Sequence, residues 1–378
     1  MLKKFYVIFF FVCFISVSSY GQYYEDMFVR VPEKQTDVGV FQVVLRNHNF
    51  FKNNEYFNDY VYSYTLLGAF VAPELVYSIS NKLIISGGFY AQKYSGKNDL
   101  NKIKPLYRVV YCPISEFSIT MGNIKGGAEH HLTEEIYCAD RHIIDNNEEG
   151  LQFMYSKGSW FADLWLNWDQ TAFPNDRKQE QLQLGFSGEF PLLSKKKTVF
   201  TGVGQFLWAH NGGQDLAVTY DVRTIGSVAG GLRYRQNFYS KIPAGIGAEC
   251  MYVACRDLSP FLKLPYSQGY GVHSKVSAYF SYFSLDLAHW YGYHYFSAFG
   301  EPLFQSVSQK WGSALAPERN VFTIKAAFTK EVADGLKIVV HYGGFWGKDI
   351  ERFDYFYGMH LIINQNILIN KVNRLKSL

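Results

Sequence analysis

What most constrains the fold of this chain is an alternation of period two that keeps returning along its length. Tyr355, Tyr357, Met359, Leu361 and Ile363 share one side of an extended chain, and Phe356, Gly358, His360, Ile362 and Asn364 share the other. Ala162, Leu164, Leu166 and Trp168 oppose Asp163, Trp165, Asn167 and Asp169. Val272, Ser274, Val276 and Ala278 oppose His273, Lys275, Ser277 and Tyr279, and Phe322, Ile324 and Ala326 oppose Thr323, Lys325 and Ala327. Successive strand residues point to opposite faces, so this pattern builds a sheet with one apolar and one polar side. A soluble β-sandwich alternates too, but several runs here reach ten residues or more, against about 5–6 for globular strands. Aromatic residues, 18% of the chain, gather near the strand ends, as in Trp160 with Trp168 and Tyr291 with Tyr293 and Tyr295. That clustering suits the interfacial girdles of a transmembrane β-barrel.

The N-terminus gives the compartment. Lys3 and Lys4 precede an apolar run from Phe5 to Val17, and Ser19-Tyr20-Gly21 supplies small residues at the cleavage positions. This is a secretory signal, too short to span as a helix, so residues 1–21 are expected to be removed and residues 22–378 to form the barrel. Cys13 lies inside the apolar run, which argues against lipidation. Loss of Lys3 and Lys4 lowers the formal charge from +4 to +2, which gives no case for a nucleic-acid partner. Of the remaining cysteines, Cys250 and Cys255 are an odd number of residues apart on one strand and face opposite sides. A Cys138–Cys255 disulfide stays open.

Candidate strands begin near Val38, Tyr62, Lys82, Lys102, Glu116, Gly150, Trp160, Gln181, Thr198, Thr224, Ala244, Gly271, Phe283, Val321, Leu336 and Phe353. They make an antiparallel up-and-down barrel of about sixteen strands, an even number as bacterial barrels require. Tight turns such as Lys157-Gly158 and Ala333-Asp334-Gly335 alternate with long loops at Asn47–Tyr60, Lys125–Glu149 and Ser297–Asn320. Short periplasmic turns and long outer loops put both termini on the periplasmic side. The last strand is expected to end near Asn366, followed by a short basic tail.

A barrel of this width holds an aqueous channel. The expected lumen carries Arg108, Arg233, Lys275, Lys325 and Lys337 beside Asp163, Glu189, Glu249 and Asp286. This mixed wall suits passive diffusion of small hydrophilic solutes. In general porin architecture the third outer loop folds inward. Residues 125–149 would then form the constriction, with Asp140 and Arg141 as the central pair and Glu134 and Glu135 opposing lumen cations. His130, His131, Glu134, Glu135, Cys138 and His142 in this loop are metal-ligand types, but the HExxH zinc pattern is absent, and neither a metal nor a cofactor is expected. An enzymatic barrel would need a Ser/His or His/carboxylate site facing lipid. His289 is placed outward, in line with Leu285 and Leu287, yet no Ser and acid align with it in sequence spacing, so the chain reads as not an enzyme.

NNEYFN from Asn53, YTLLGAF from Tyr64, GGFYAQK from Gly87, FSITMGNIKGG from Phe117, HLTEEIY from His131, EEGLQF from Glu148 and QEQLQLGFSGEF from Gln179 resemble segments of uncharacterised Bacteroidota outer-membrane barrel proteins. The resemblance covers the first half of the mature chain and implies an outer-membrane barrel without naming a substrate. The Gly-rich strand end followed by His, an acid, Tyr and Arg also resembles polyphosphate-selective porins, without their row of basic residues. The sequence thus points to a porin-like channel in contact with outer-membrane lipid, its oligomeric state open. The alternatives are a closed, partner-binding barrel and a lipid-modifying enzyme.

Overall fold

The computed structural model describes residues 38–145, 147–213, 217, 221–238, 244–348, 350 and 353–371. The expected signal peptide and most of the basic tail lie outside the described residues. Sixteen strands follow one another: β1 (Val40–Glu55), β2 (Tyr64–Ser80), β3 (Leu83–Tyr94), β4 (Lys102–Ile114), β5 (Phe117–Asn123), β6 (Glu149–Lys157), β7 (Trp160–Gln170), β8 (Glu180–Ser194), β9 (Thr198–Gly212), β10 (Arg223–Asn237), β11 (Gly245–Asp257), β12 (Gln268–Tyr279), β13 (Phe283–Tyr293), β14 (Glu318–Ala333), β15 (Leu336–Gly347) and β16 (Asp354–Lys371). Each pairs antiparallel with its neighbours in sequence, and β1 closes the cylinder against β16. Closure satisfies every edge, which a sheet in lipid requires. Each strand starts within three residues of the position expected from the alternation.

Two boundaries differ from expectation. Asn47–Glu55 is not loop: β1 runs through it, because His48, Phe50, Lys52 and Asn54 continue the inward row and are all buried. The polar character of that run comes from what it meets inside, not from exposure. At the other end β16 runs to Lys371, past Asn366, and its extra length pairs with the first residues of β1.

The outward rows are apolar, with Leu67, Val109, Met121, Val228, Val276 and Ile324 among the exposed side chains. The inward rows are polar near the wall, and the apolar core lies inside the cylinder. That core is built by three loops on the long-loop side, at 56–63, 124–148 and 294–317. Glycine admits the largest rings: a Cβ on Gly185 would lie 2.2 Å from the Trp165 ring and one on Gly271 2.2 Å from Trp290.

Candidate functional site

The third loop turns into the barrel and is held there. Ile124, Ile136 and Ile143 are fully buried, as are Leu303 and Phe304 of the seventh loop. The two loops share backbone bonds, Cys138 N to Phe299 O at 2.8 Å and Glu301 N to Glu134 O at 3.0 Å, while Tyr295 donates its hydroxyl to Glu135 O at 2.7 Å. The first loop joins through Gln309 N to Tyr60 O, 2.8 Å. Together they form a plug whose apolar centre excludes water and whose polar margin must be matched by the wall.

The wall supplies those matches. Asp140 takes Lys52 and the Tyr64 hydroxyl, with Asn54 Nδ2 donating at 3.0 Å. Glu134 meets Lys325, and Glu135 lies 2.5 Å from His273. His130 stacks on Trp165 with ring centroids 3.6 Å apart, and its two nitrogens reach Asp163 at 2.7 Å and Glu148 at 3.0 Å. Burial drives the His130 imidazole down, but the Glu148 and Asp163 carboxylates outweigh it and hold its pKa at about 9. Glu148 is opposed by burial yet is drawn to about 2, chiefly by His130. Glu301 goes the other way: burial, then the nearby Glu134 and Asp140 carboxylates, raise it to about 8.

The expected constriction residues therefore separate. Asp140 and Arg141 do not pair; Asp140 faces Lys52 on β1, and Arg141 binds Asp145 at 2.9 Å. Arg108 meets Glu74 at 3.4 Å. Arg233 bridges Glu189 and Glu249 at 2.8 and 2.7 Å, and Lys275 meets Glu249 at 3.0 Å. Asp286 is buried opposite Lys325 in the β13–β14 register. The candidate metal ligands disperse likewise: His130 goes to Asp163 and Glu148, and His131 to Glu189 at 3.3 Å. Sequence reasoning missed the partners Lys52 and His273, which only the closed register brings opposite the loop, as well as Glu74 on the wall and Glu148 within the loop itself. Among the described residues Cys112, Cys138, Cys250 and Cys255 are free thiols, with Cys250 exposed and Cys255 buried.

The plug leaves a cavity on each side. The outer one, about 870 Å³, is lined by Lys104, Arg141, Asp169, Arg223 and loop residues such as Phe296. The inner one, about 330 Å³, is lined by His131, Glu189, Arg233 and Lys275.

The lipid-facing wall carries polar groups of its own, among them Asn47, Asn49 and Asn53 on β1 and a row that crosses β11, β12 and β13. Across β11, β12 and β13, Cys250 stands opposite Ser274 and Ser274 opposite His289. Cβ atoms of such pairs lie about 4.5–5.5 Å apart. The Ser274 hydroxyl points to Cys250 Sγ at 3.8 Å, and His289 Nε2 donates to Asn320 Oδ1 on β14 at 2.7 Å. In the neutral imidazole that bond leaves Nδ1 as the acceptor nitrogen. His289 also packs on Phe322, centroids 4.5 Å apart. Above the row, on the same face, Tyr252 stacks on Tyr270 at 6.2 Å and Tyr270 meets Tyr293 at 5.8 Å, part of an aromatic girdle. His289 lies two residues below Tyr291, so it sits just under the girdle.

Comparison with known proteins gives the lineage. Residues 33–372 match the model of a family described as lipid A 3'-O-deacylase-type. The chain belongs to that family. The family is one of enzymes, and this overturns the reading of the sequence as not an enzyme. That reading rested on linear spacing, and residues on different strands, such as Ser274, His289 and Asn320, are joined only by register. No curated protein matches. Among solved structures the chain is similar to a loop-deleted form of OmpT, an outer membrane protein of Vibrio cholerae (TM-score 0.52, 10% identity, covering 87% of this chain and 100% of that one). In-vitro folded OmpT of the same organism gives 0.51 at 8% identity, covering 89% and 100%. OprD of Pseudomonas aeruginosa gives 0.48 at 8%, covering 90% and 98%. These likenesses are of fold. The protein is an outer-membrane β-barrel.

Proposed function

We propose that this protein is an outer-membrane esterase that removes an ester-linked acyl chain from an outer-leaflet glycolipid, with lipid A as the substrate class its family indicates. The observation that carries the reading is the outward row in which Ser274 faces His289 and His289 is held by Asn320. In this reading Ser274 Oγ attacks the ester carbonyl while His289 Nδ1 takes the hydroxyl proton. The same proton passes to the departing alkoxide as the acyl–serine forms. Water, deprotonated by His289, then attacks the acyl–serine, releasing the fatty acid and restoring Ser274. Asn320 fills the orienting place that an acid holds in other triads, as in Cys-His-Asn enzymes. Its side-chain amide N–H is a donor on the same outward face for the developing oxyanion.

The test is release of free fatty acid from vesicles containing lipid A. Wild-type protein is expected to release it, and Ser274→Ala and His289→Ala to lose release by about 100-fold or more. Full activity in both variants removes this site, and inactivity of the folded wild type removes the esterase reading.

A second reading, passive diffusion of small hydrophilic solutes, is favoured by the two cavities that face each other across the plug. In it, the loop at 125–149 is the constriction, and Glu134, Glu135, Asp140 and Arg141 set what passes. It expects small single-channel steps in planar bilayers that grow when this loop is deleted. A folded barrel that never conducts, with or without the loop, counts against it.

A further inference from the structure

The outer cavity has a composition that the plug does not explain. Four cations line it, Lys102, Lys104, Arg141 and Arg223, against two carboxylates, Asp145 and Asp169. Lys102 and Arg141 share Asp145, at 2.6 and 2.9 Å. Asp169 is taken by Asn167 Nδ2 at 2.8 Å and by Gln183. Lys104 on β4 and Arg223 on β10 are inward-facing, meet no acidic side chain among the described residues, and stand on well-separated parts of the wall. Among the described residues no packing contact calls for these two charges. A concave, low-dielectric mouth with an excess of positive charge concentrates anions.

The remaining lining says which anions. Gln181, Asn211 and Gln309 present amides, which offer both donors and acceptors to hydroxyl groups. Phe296 and Leu264 add apolar surface. The volume, about 870 Å³, falls within the range of roughly 300–1,000 Å³ typical of small-molecule sites and far exceeds what an inorganic anion fills. We infer that the outer cavity binds a phosphorylated sugar, its phosphate on Arg223 and its hydroxyls on Asn211 and Gln181, which stand beside Arg223 in the β8–β9–β10 register, while Lys104 across the mouth adds to the positive field. The sugar phosphate can come free in solution or as the headgroup of a surface glycolipid. This site is independent of the esterase reading, since it uses none of Ser274, His289 and Asn320.

The test is calorimetric titration of the purified, detergent-folded full-length barrel with glucose 6-phosphate, glucose and inorganic phosphate. Glucose 6-phosphate is expected to bind at least ten-fold more tightly than either of the others, with affinity falling as sodium chloride is raised. Lys104→Gln with Arg223→Gln is expected to weaken it at least ten-fold while heat-modifiability on gels is unchanged. Single variants, each weakening binding, serve if the double variant does not fold. A second arm adds lipopolysaccharide micelles: displacement of glucose 6-phosphate assigns the headgroup as the source, and its persistence assigns the free sugar, with the shared chemistry upheld either way. Equal binding of glucose, equal binding of inorganic phosphate, no binding at all, or unchanged affinity in folded variants overturns the proposal.

Discussion

On the inner face of β11 and β12, Glu249 is closed by Lys275 and Arg233; on the outer face of the same two strands, Cys250 and Ser274 look toward lipid. Inside, several ionised groups on the plug's margin have a counter-charge on the wall, as with Asp140 and Lys52 or Glu134 and Lys325. Those pairs are needed for the fold, because a buried charge without a partner costs several kcal/mol. Outside, nothing in packing calls for Ser274, His289 and Asn320, and an apolar residue at each place would suit lipid better. Polar groups that the structure requires say little about chemistry, whereas polar groups it would be better off without point to function. On the proposed function, the charge pairs at the plug's margin are architecture and the outer row is the chemical site.

The largest expected effect separates the two faces. His289→Ala is expected to abolish acyl release while leaving thermal unfolding and heat-modifiability as in wild type, whereas Lys52→Met is expected to do the reverse. Removing Lys52 strands Asp140, a loss of about 3–5 kcal/mol by analogy with other broken buried pairs. The readouts are the unfolding temperature and the protease sensitivity of the loop at 125–149. Esterase activity that follows Lys52 and ignores His289 breaks the distinction.

Next in size is Gly185→Leu. The Trp165 ring lies against this glycine and carries His130 on its face, so the new side chain must push the ring away. Looser packing of the third loop is expected, seen as faster proteolysis within 125–149, with acyl release unchanged.

The pH dependence of the plug is smaller and has a definite sign. His130 is raised in the fold to about 9, so its pairing stabilises fully below its ordinary pKa and is lost as pH rises through about 9. Glu301, raised to about 8, binds its proton more tightly folded than unfolded, so it also loses stability with rising pH, from its ordinary range up to about 8. Glu148 is depressed to about 2, and its contribution is present above its ordinary range and lost only as pH falls toward 2. The plug is therefore expected to loosen between about pH 6.5 and 9. Protease sensitivity of the loop measured across that window checks this, and His130→Phe should flatten the response.

The smallest expected effect is at the periplasmic rim. Lys157 and Glu116 pair at 3.2 Å in the open, and Lys157→Ala is expected to change neither unfolding temperature nor activity.

The barrel was legible because its evidence is local. The period-two rows around Trp165 and His360 need only neighbours in the chain, and the short turn at Gly158 needs only itself. The sites were less legible because their evidence is register. Asp140 was singled out in sequence, but its counter-ion Lys52 lies in a stretch whose asparagines and lysine read as loop. His289 was placed outward by the alternation, yet Ser274 becomes its partner only once β12 is aligned on β13. Asn320, the residue that holds the ring, lay at the end of an expected loop, because the β14 row begins earlier than its apolar part.

Covalent labelling of the detergent-folded barrel by a long-chain fluorophosphonate, with the modified residue located by mass spectrometry, tests the central claim most directly. The account predicts one label, on Ser274, lost in His289→Ala although that variant folds. A label on a lumen residue such as Ser187, or no serine labelled in active protein, would contradict it.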